Sequence, residues 1–345
     1  MKSSTGQTKK KEVALVFRYS SWISDKWALF ATLSISRIGN VFIGWLTQGL
    51  SKITGRVLHT GLPYSLHFET ASHCNLQCPE CIAGAGLTQR MQKQMPAPLI
   101  AHKLDLHHKN AFYCNLYFQG EPFLNKEIFA ITSHAVQKRF YTVIATNGHF
   151  LDAINCRKIV EAKLHRIIIS LDGPDKESHE AYRLGGDFER VCQGIATLEA
   201  TRRMLGGKKP YIVVQMLVHK GNENKLKEAS TLAKKLGADE VSFKSMQIYS
   251  QGGLNRFLPL SGRFNRYPGG EIPPTPKGRV CWRLWSHAVY TSDGLMVPCC
   301  FDKIPEYAIG SVEEKAGDLW STGKMQDFRR KVLQGEIPLC RNCLP

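Results

Sequence analysis

From Leu62 onward, apolar residues gather in short runs separated by stretches of helical spacing. The runs SLHF (65–68), FYCNLYF (112–118), YTVIAT (141–146), RIIISLD (166–172), YIVVQML (211–217) and EVSFKS (240–245) are rich in β-branched and aromatic residues, and predict strands. Between them, Lys126–Lys138, Asp152–Ala162, Phe188–Met204 and Asn224–Leu236 predict helices. Continuous apolar strands alternating with helices point to an α/β fold whose parallel sheet is buried on both faces. Six such units are too few for a closed eight-stranded barrel, so a partial (β/α)6 barrel is expected over residues 62–250.

The flanking segments follow other patterns. Residues 1–61 predict an N-terminal helical extension, in which Trp27, Phe30, Ile38, Phe42, Trp45 and Leu46 recur at helical spacing. Its longest uncharged run, Ile38 to Ser51, is too short to span a bilayer and contains Asn40 and Gln48. Two readings fit: a helix packed on the main domain, or peripheral membrane contact through residues 22–53. Residues 251–280 are rich in Gly and Pro and read as a linker. Residues 281–345 are few and cysteine-rich, with a turn signal at Asp293-Gly294; so small a domain calls for a metal staple.

Composition narrows the function classes. The 345 residues are 43% hydrophobic and 22% charged, which excludes wholesale disorder. A net charge of +17 favours nucleic acid, anionic membrane or acidic small molecules as partners, although no stretch interleaves basic and aromatic residues like a nucleic-acid module. Eleven cysteines would suit a disulfide framework in a secreted chain. The basic N-terminus lacks a long apolar run and a small-residue cleavage site, so a cytoplasmic chain with metal-binding or catalytic cysteines is expected.

Cys74, Cys78 and Cys81 follow the first strand directly, at the carboxyl end where α/β active sites lie. Their spacing lets one loop wrap three thiolates around a face of an iron–sulfur cube. Three protein ligands leave a coordination position open, and an open position on a metal usually serves chemistry. This C-x3-C-x2-C triplet resembles the signature of the radical S-adenosylmethionine (SAM) superfamily. The resemblance implies a [4Fe–4S] cluster whose open iron chelates SAM, and reductive cleavage of SAM to a 5′-deoxyadenosyl radical. Further motifs are similar to that family. Gln119-Gly120-Glu121-Pro122 resembles its GGEP turn, which receives the SAM amino group. Thr146-Asn147-Gly148 ends the third strand, and Ser170-Leu171-Asp172-Gly173 with His179, Tyr182 and Arg183 resembles its SIDG…YR pattern. By that likeness Ser170 contacts the SAM ribose, Arg183 its carboxylate, and Gln215 or Leu217 the adenine. An Arg suits a carboxylate because its planar fork pairs with both oxygens.

Cys281, Cys299, Cys340 and Cys343 form a second set. Cys281 and Cys299 with Gly294 between them resemble the opening half of the SPASM motif, here in the shortened "twitch" form, which implies one auxiliary [4Fe–4S] cluster. A four-cysteine zinc knuckle is the rival reading. Cys300 and Asp302 lie beside these ligands and are candidates for a base. The family likeness implies an oxidation or a peptide or small-molecule modification, fed electrons by a flavodoxin- or ferredoxin-type reductant. An RNA-modifying enzyme, a two-cluster electron carrier and a zinc-stapled binding protein are the alternatives.

Overall fold

The structure, a computed structural model, describes residues 19–313 and 316–343. Residues 1–18 of the expected extension lie outside the described residues. The chain opens with α1 (Tyr19–Phe30) and α2 (Ile35–Thr54). Strand–helix units follow: β1 (Ser65–Phe68), α3 (Ala97–His107), β2 (Tyr113–Asn115), α4 (Ile128–Gln137), β3 (Tyr141–Thr146), α5 (Ala153–Glu161), β4 (Arg166–Ser170), α6 (Lys176–Glu180), α7 (Phe188–Met204), β5 (Tyr211–Val218), α8 (Leu226–Lys235) and β6 (Glu240–Ser245). The chain closes with α9 (Gln251–Phe257), β7 (His287–Tyr290), β8 (Leu295–Val297), β9 (Gly310–Ser311), α10 (Ala316–Ser321) and α11 (Gly323–Gln334).

All six expected strands form, and they pair in parallel in the order β6-β5-β4-β3-β2-β1. The C-terminal region is not a detached module. Its β7 pairs in parallel with β1, Ser65 opposite His287, and β8 and β9 add antiparallel at that edge. The nine-stranded sheet is therefore open at both ends.

Alternation along the strands sets two environments. Leu66, Phe68, Cys114, Ile144, Ile167, Ile169, Ile212 and Val214 pack against Ile100, Leu104, Ile131, Ile159, Ile195 and Leu198 of the helices. Each such burial contributes about 1.5–3 kcal/mol, so Leu66→Ala would cost about 2–5 kcal/mol. The opposite face mixes apolar residues such as Val143 and Val213 with paired polar groups. His67 bonds Ser65 Oγ through Nε2 (3.0 Å) and meets Asn115 Nδ2 through Nδ1 (2.9 Å), and its ring stacks on His287 at 4.6 Å. Buried polar groups of this kind persist when paired with one another.

One expectation changes, and two features were not foreseen. The segment from 251 begins as a helix, not a linker. Ser250 caps α9, whose Leu254 and Phe257 pack with Leu76, Cys78, Tyr182 and Met246. Helix α3 was hidden by Pro96 and Pro98, which suit a first helical turn although they read as breakers. The extension is helical but packs on the body through Arg37, Asn40, Gly44 and Ser51, and its apolar stripe faces outward.

Candidate active site

Each turn at the carboxyl end of strands β1 to β4 supplies one wall of a pocket. Cys74, Cys78 and Cys81 line it together with Tyr117, Gly120, Glu121, Thr146, Asn147, Ser170 and Arg183. The three cysteines sit on the loop after β1, and hydrogen bonds hold that loop in shape. Leu76 N donates to Cys74 Sγ (3.4 Å), Gly84 N to Cys81 Sγ (3.5 Å) and Asn147 Nδ2 to both Cys74 Sγ (3.6 Å) and Asn75 Oδ1 (2.7 Å). Glu80, between two of the cysteines, accepts from Tyr249 N (2.7 Å) and Ser250 Oγ (2.9 Å) and so ties the loop to α9. A side chain at Gly253 would strike Glu80, since a Cβ there falls 2.0 Å from its Oε1.

The expected SAM-site residues divide into two groups. Ser170, Thr146, Asn147 and Arg183 line the pocket. Gln215 lies beside Ser170 in register on the neighbouring strand, and Leu217, like Cys74 and Cys81, packs against the apolar cluster that holds Leu76, Cys78 and Tyr182. Asp172 and Pro122 are not among the lining residues. Asp172 is fully buried and fully engaged: Oδ2 accepts from Arg183 Nε (2.6 Å) and Oδ1 from Leu217 N (2.7 Å). It positions Arg183 instead of meeting a ligand. Pro122 is buried at the start of a single 3-10 turn.

Glu121 has a similar bracing role. Its carboxylate accepts from Phe123 N (3.1 Å), Thr146 Oγ1 (2.8 Å) and Asn147 N (2.8 Å), which joins the second and third turns. Burial outweighs these donors and pushes its pKa up to about 7. Gly120 has a structural reason beyond closeness to a ligand. Its φ is +68°, and a Cβ there would lie 2.4 Å from the Ala71 carbonyl. Only glycine lets this turn press on the chain leading into Cys74.

The second cysteine set also converges. Cys281, Cys299, Cys340 and Cys343 line a pocket with Leu284, Phe301, Phe328, Val332 and Leu339. Two arginines reach in. Arg279 and Arg283 each place a guanidinium nitrogen 3.7 Å from Cys343 Sγ. The sequence pattern did not single them out, although both flank Cys281 at two residues' distance.

Both pockets fit iron–sulfur clusters by the chemistry of their donors. Burial raises the pKa of Cys74 and Cys299, and pushes Cys78 and Cys340 up to about 11, so without a metal these thiols stay protonated at neutral pH. Metal uptake replaces those protons, and Arg183 beside Cys78 (3.9 Å), Arg279 and Arg283 offset the added thiolate charge. Among the described residues, no three His, Cys, Asp or Glu close on a point suited to one ion.

The two candidate bases part company. Asp302 is buried and its carboxylate accepts from Glu306 N (3.0 Å) and Tyr307 N (3.1 Å). It braces a turn, and burial pushes its carboxyl up to about 6 beside a pocket that it lines with Tyr249 and Lys303. Burial raises the Cys300 thiol, and the Arg283 charge opposes that rise. Cys300 lies within electrostatic reach of Arg283 and Lys303, and Lys303 is also within reach of Cys81. The Lys303 ammonium bonds Tyr249 Oη (2.5 Å) and Gln247 Oε1 (3.2 Å). It therefore lies between the two cysteine sets, a position that no motif marks.

A partial barrel with three thiols in a polar pocket at its mouth, and four more in an apolar pocket beside it, defines a two-centre iron–sulfur protein built for chemistry on a bound small molecule. Residues 68–241 match the radical SAM superfamily and residues 281–344 match an iron–sulfur cluster-binding domain, SPASM; the chain belongs to the radical SAM superfamily. Its cofactors are a [4Fe–4S] cluster with SAM, and auxiliary iron–sulfur ligation in the C-terminal region. The chain is 27% identical over 180 residues to an AdoMet-dependent heme synthase of Methanosarcina barkeri, covering 52% of this chain and about half, 49%, of that relative's length. It is 23% identical over 303 residues to a PqqA peptide cyclase of Gluconobacter oxydans, covering 81% of this chain and 82% of that one. The fold is similar to that of SuiB from Streptococcus suis bound to S-adenosylmethionine, with TM-score 0.59 at 14% identity, covering 86% of this chain and 72% of SuiB.

Proposed function

We propose that this protein is a SAM-dependent radical oxidase or maturase acting on a peptide or a small molecule. The observation that carries the proposal is the gathering of Cys74, Cys78 and Cys81 with Asn147, Ser170 and Arg183 in one pocket at the carboxyl ends of the strands. Bound there, the cluster and SAM would supply a carbon radical able to take a hydrogen from a substrate. The chain's own residues hold and orient the reactants. The three thiolates leave one iron open for SAM. Arg183, fixed by Asp172, offers its free edge to the SAM carboxylate. Ser170 and Gln215, adjacent on β4 and β5, face the sugar and the base.

The substrate enters over the concave face between the two cysteine sets, where Cys300 and Lys303 lie. Similarity to a peptide cyclase over most of both chains supports a peptide substrate. Cys281, Cys299, Cys340 and Cys343 would hold an auxiliary cluster able to accept the electron of the substrate radical, or to ligate the substrate. A flavodoxin- or ferredoxin-type protein would supply the electron to the cluster that Cys74, Cys78 and Cys81 would hold.

The test is anaerobic reconstitution, iron and sulfide counting, and a dithionite-driven SAM-cleavage assay. About eight irons per chain, with 5′-deoxyadenosine formed only when the triad is intact, is the expected result. Stoichiometric zinc, little iron and no cleavage would overturn the proposal.

A further inference from the structure

Helix α2 is built inside out. Amphipathic helices of globular proteins turn their apolar stripe to the core. Here the buried positions are Arg37, Asn40, Gly44 and Ser51. Arg37 donates to the carbonyls of Thr32 (2.5 Å), His108 (3.0 Å), Lys138 (3.0 Å) and Arg139 (2.6 Å). Asn40 bonds Leu62 in both directions (2.9 Å each) and Asn110 O (3.1 Å). In α1, buried Asp25 pairs with Tyr141 Oη and Arg166 at the first residues of β3 and β4. Meanwhile Trp27 is 69% exposed, Phe42 57%, Trp45 67% and Ile53 83%, with Ile35, Ile38 and Leu46 exposed beside them.

The chemistry around this stripe points to what covers it. Between Asp25 and Glu69 the sequence has no acidic residue, and Asp25 itself is buried. Lys52 and Arg56 are exposed at the end of α2. Residues 1–61 hold nine basic and two acidic side chains, including three consecutive lysines, Lys9 to Lys11. Exposed Trp, Phe and Ile on helices whose own exposed charges are cations complement an anionic lipid headgroup layer over an acyl boundary, although Asp327 lies beside Arg56 and Glu199 beside the start of α1. A second copy would set the same basic edge against itself. Among the described residues no single helix is long and apolar enough to cross a membrane; α1 and α2 reach that length and composition only together, bent by 93°. Such a bent pair lies in an interface more readily than it spans one.

We infer that α1 and α2 form a docking face for an anionic bilayer surface, carried on the floor of the barrel. Apart from Thr32 in the turn between the helices, the polar anchors named above lie at the amino-terminal ends of the strands or in the chain just before them: Leu62 before β1, His108 and Asn110 before β2, Lys138 to Tyr141 at β3 and Arg166 at β4. The cysteine triad lies at the carboxyl ends. Docking through this floor leaves the mouth of the active site facing away from the lipid, open to substrate and reductant. The inward polar contacts are what allow the apolar side to stay outside.

Flotation of the full-length, cluster-loaded protein with vesicles tests this. The chain is expected to float with phosphatidylcholine vesicles containing phosphatidylglycerol, less with phosphatidylcholine alone, and less at high salt. Phe42→Ser/Trp45→Ser should lower the partition coefficient at least about tenfold with SAM cleavage unchanged. Lys52→Gln/Arg56→Gln should weaken binding to the anionic vesicles by roughly fivefold per residue removed and leave phosphatidylcholine binding as it was. Absence of flotation with either vesicle overturns the inference. So does flotation indifferent to lipid charge and salt. A dimer that the Phe42/Trp45 variant disperses, without vesicle binding by the parent, would assign the face to a second copy and overturn it equally.

Discussion

The two cysteine pockets of this protein are made from the same donor and built in opposite ways. The triad pocket sets polar groups, Asn147, Glu121, Thr146, Ser170 and Arg183, drawn from three successive turns, among the apolar side chains of Leu76, Ala83, Phe118 and Ala145. The tetrad pocket is walled by Leu284, Phe301, Phe328, Val332 and Leu339, with Arg279 and Arg283 as its charged members. Three thiols beside polar side chains leave both a coordination position and hydrogen-bonding partners for a small molecule. Four thiols in an apolar setting complete a cluster and shield it, which suits electron acceptance or support. Donor number and wall chemistry thus assign different work to the two centres.

The sharpest way to break that comparison is to remove one thiol from each pocket. Cys78→Ala should abolish 5′-deoxyadenosine formation while keeping about four irons in the other centre. Cys340→Ala should lose a similar share of iron yet keep SAM cleavage, and stop product formation on a true substrate. Iron counting with the cleavage assay separates the two outcomes. Loss of cleavage in both variants would show that the centres depend on each other.

A smaller effect concerns the brace behind the triad pocket. Glu121 has a pKa raised by burial from 4.5 to about 7. Its folded state therefore favours the protonated form. The stability this favours is fully present below about pH 4.5 and is lost as pH rises through about 7. Over that window the wild type should lose up to about 3 kcal/mol relative to Glu121→Gln, which has no such titration. Thermal unfolding of both proteins across the range reads the difference; parallel curves would show that the three donors to Glu121 outweigh its burial.

Much of this was legible in the sequence, and the failures have physical causes. All six parallel strands were visible because continuous apolar runs survive wherever a sheet is covered on both faces. The cysteine sets were visible because ligand spacing is local. What stayed hidden depended on distant contacts. Nothing near Asp172 says that Leu217 N and Arg183 will occupy its carboxylate. Nothing near Asp302 says that the backbone of residues 306 and 307 will donate to its oxygens. The joining of β7 to β1 unites segments more than 200 residues apart, which no periodicity records. The outward stripe of α2 was legible as a stripe, but its direction was not, because direction depends on which carbonyls Arg37 and Asn40 find.

The mildest expected effect tests whether Arg183 belongs to the ligand or to the cluster loop. Its Nε is held by Asp172 at 2.6 Å, another nitrogen lies 3.9 Å from Cys78 Sγ, and the guanidinium sits 5.5 Å from the centre of the Tyr182 ring. A planar fork can keep the Asp172 contact on one edge and present the other to a carboxylate; a lysine ammonium is a single point and cannot do both. Arg183→Lys in the cluster-loaded enzyme should therefore weaken SAM binding about tenfold, near 1.4 kcal/mol, with the iron content unchanged. Equilibrium dialysis of SAM beside an iron count reads both quantities. Weakened binding at full iron places the arginine on the SAM carboxylate. Unchanged affinity with a depleted triad cluster would place it on the Cys78 sulfur instead, and the polar wall of that pocket would then serve the metal before the ligand.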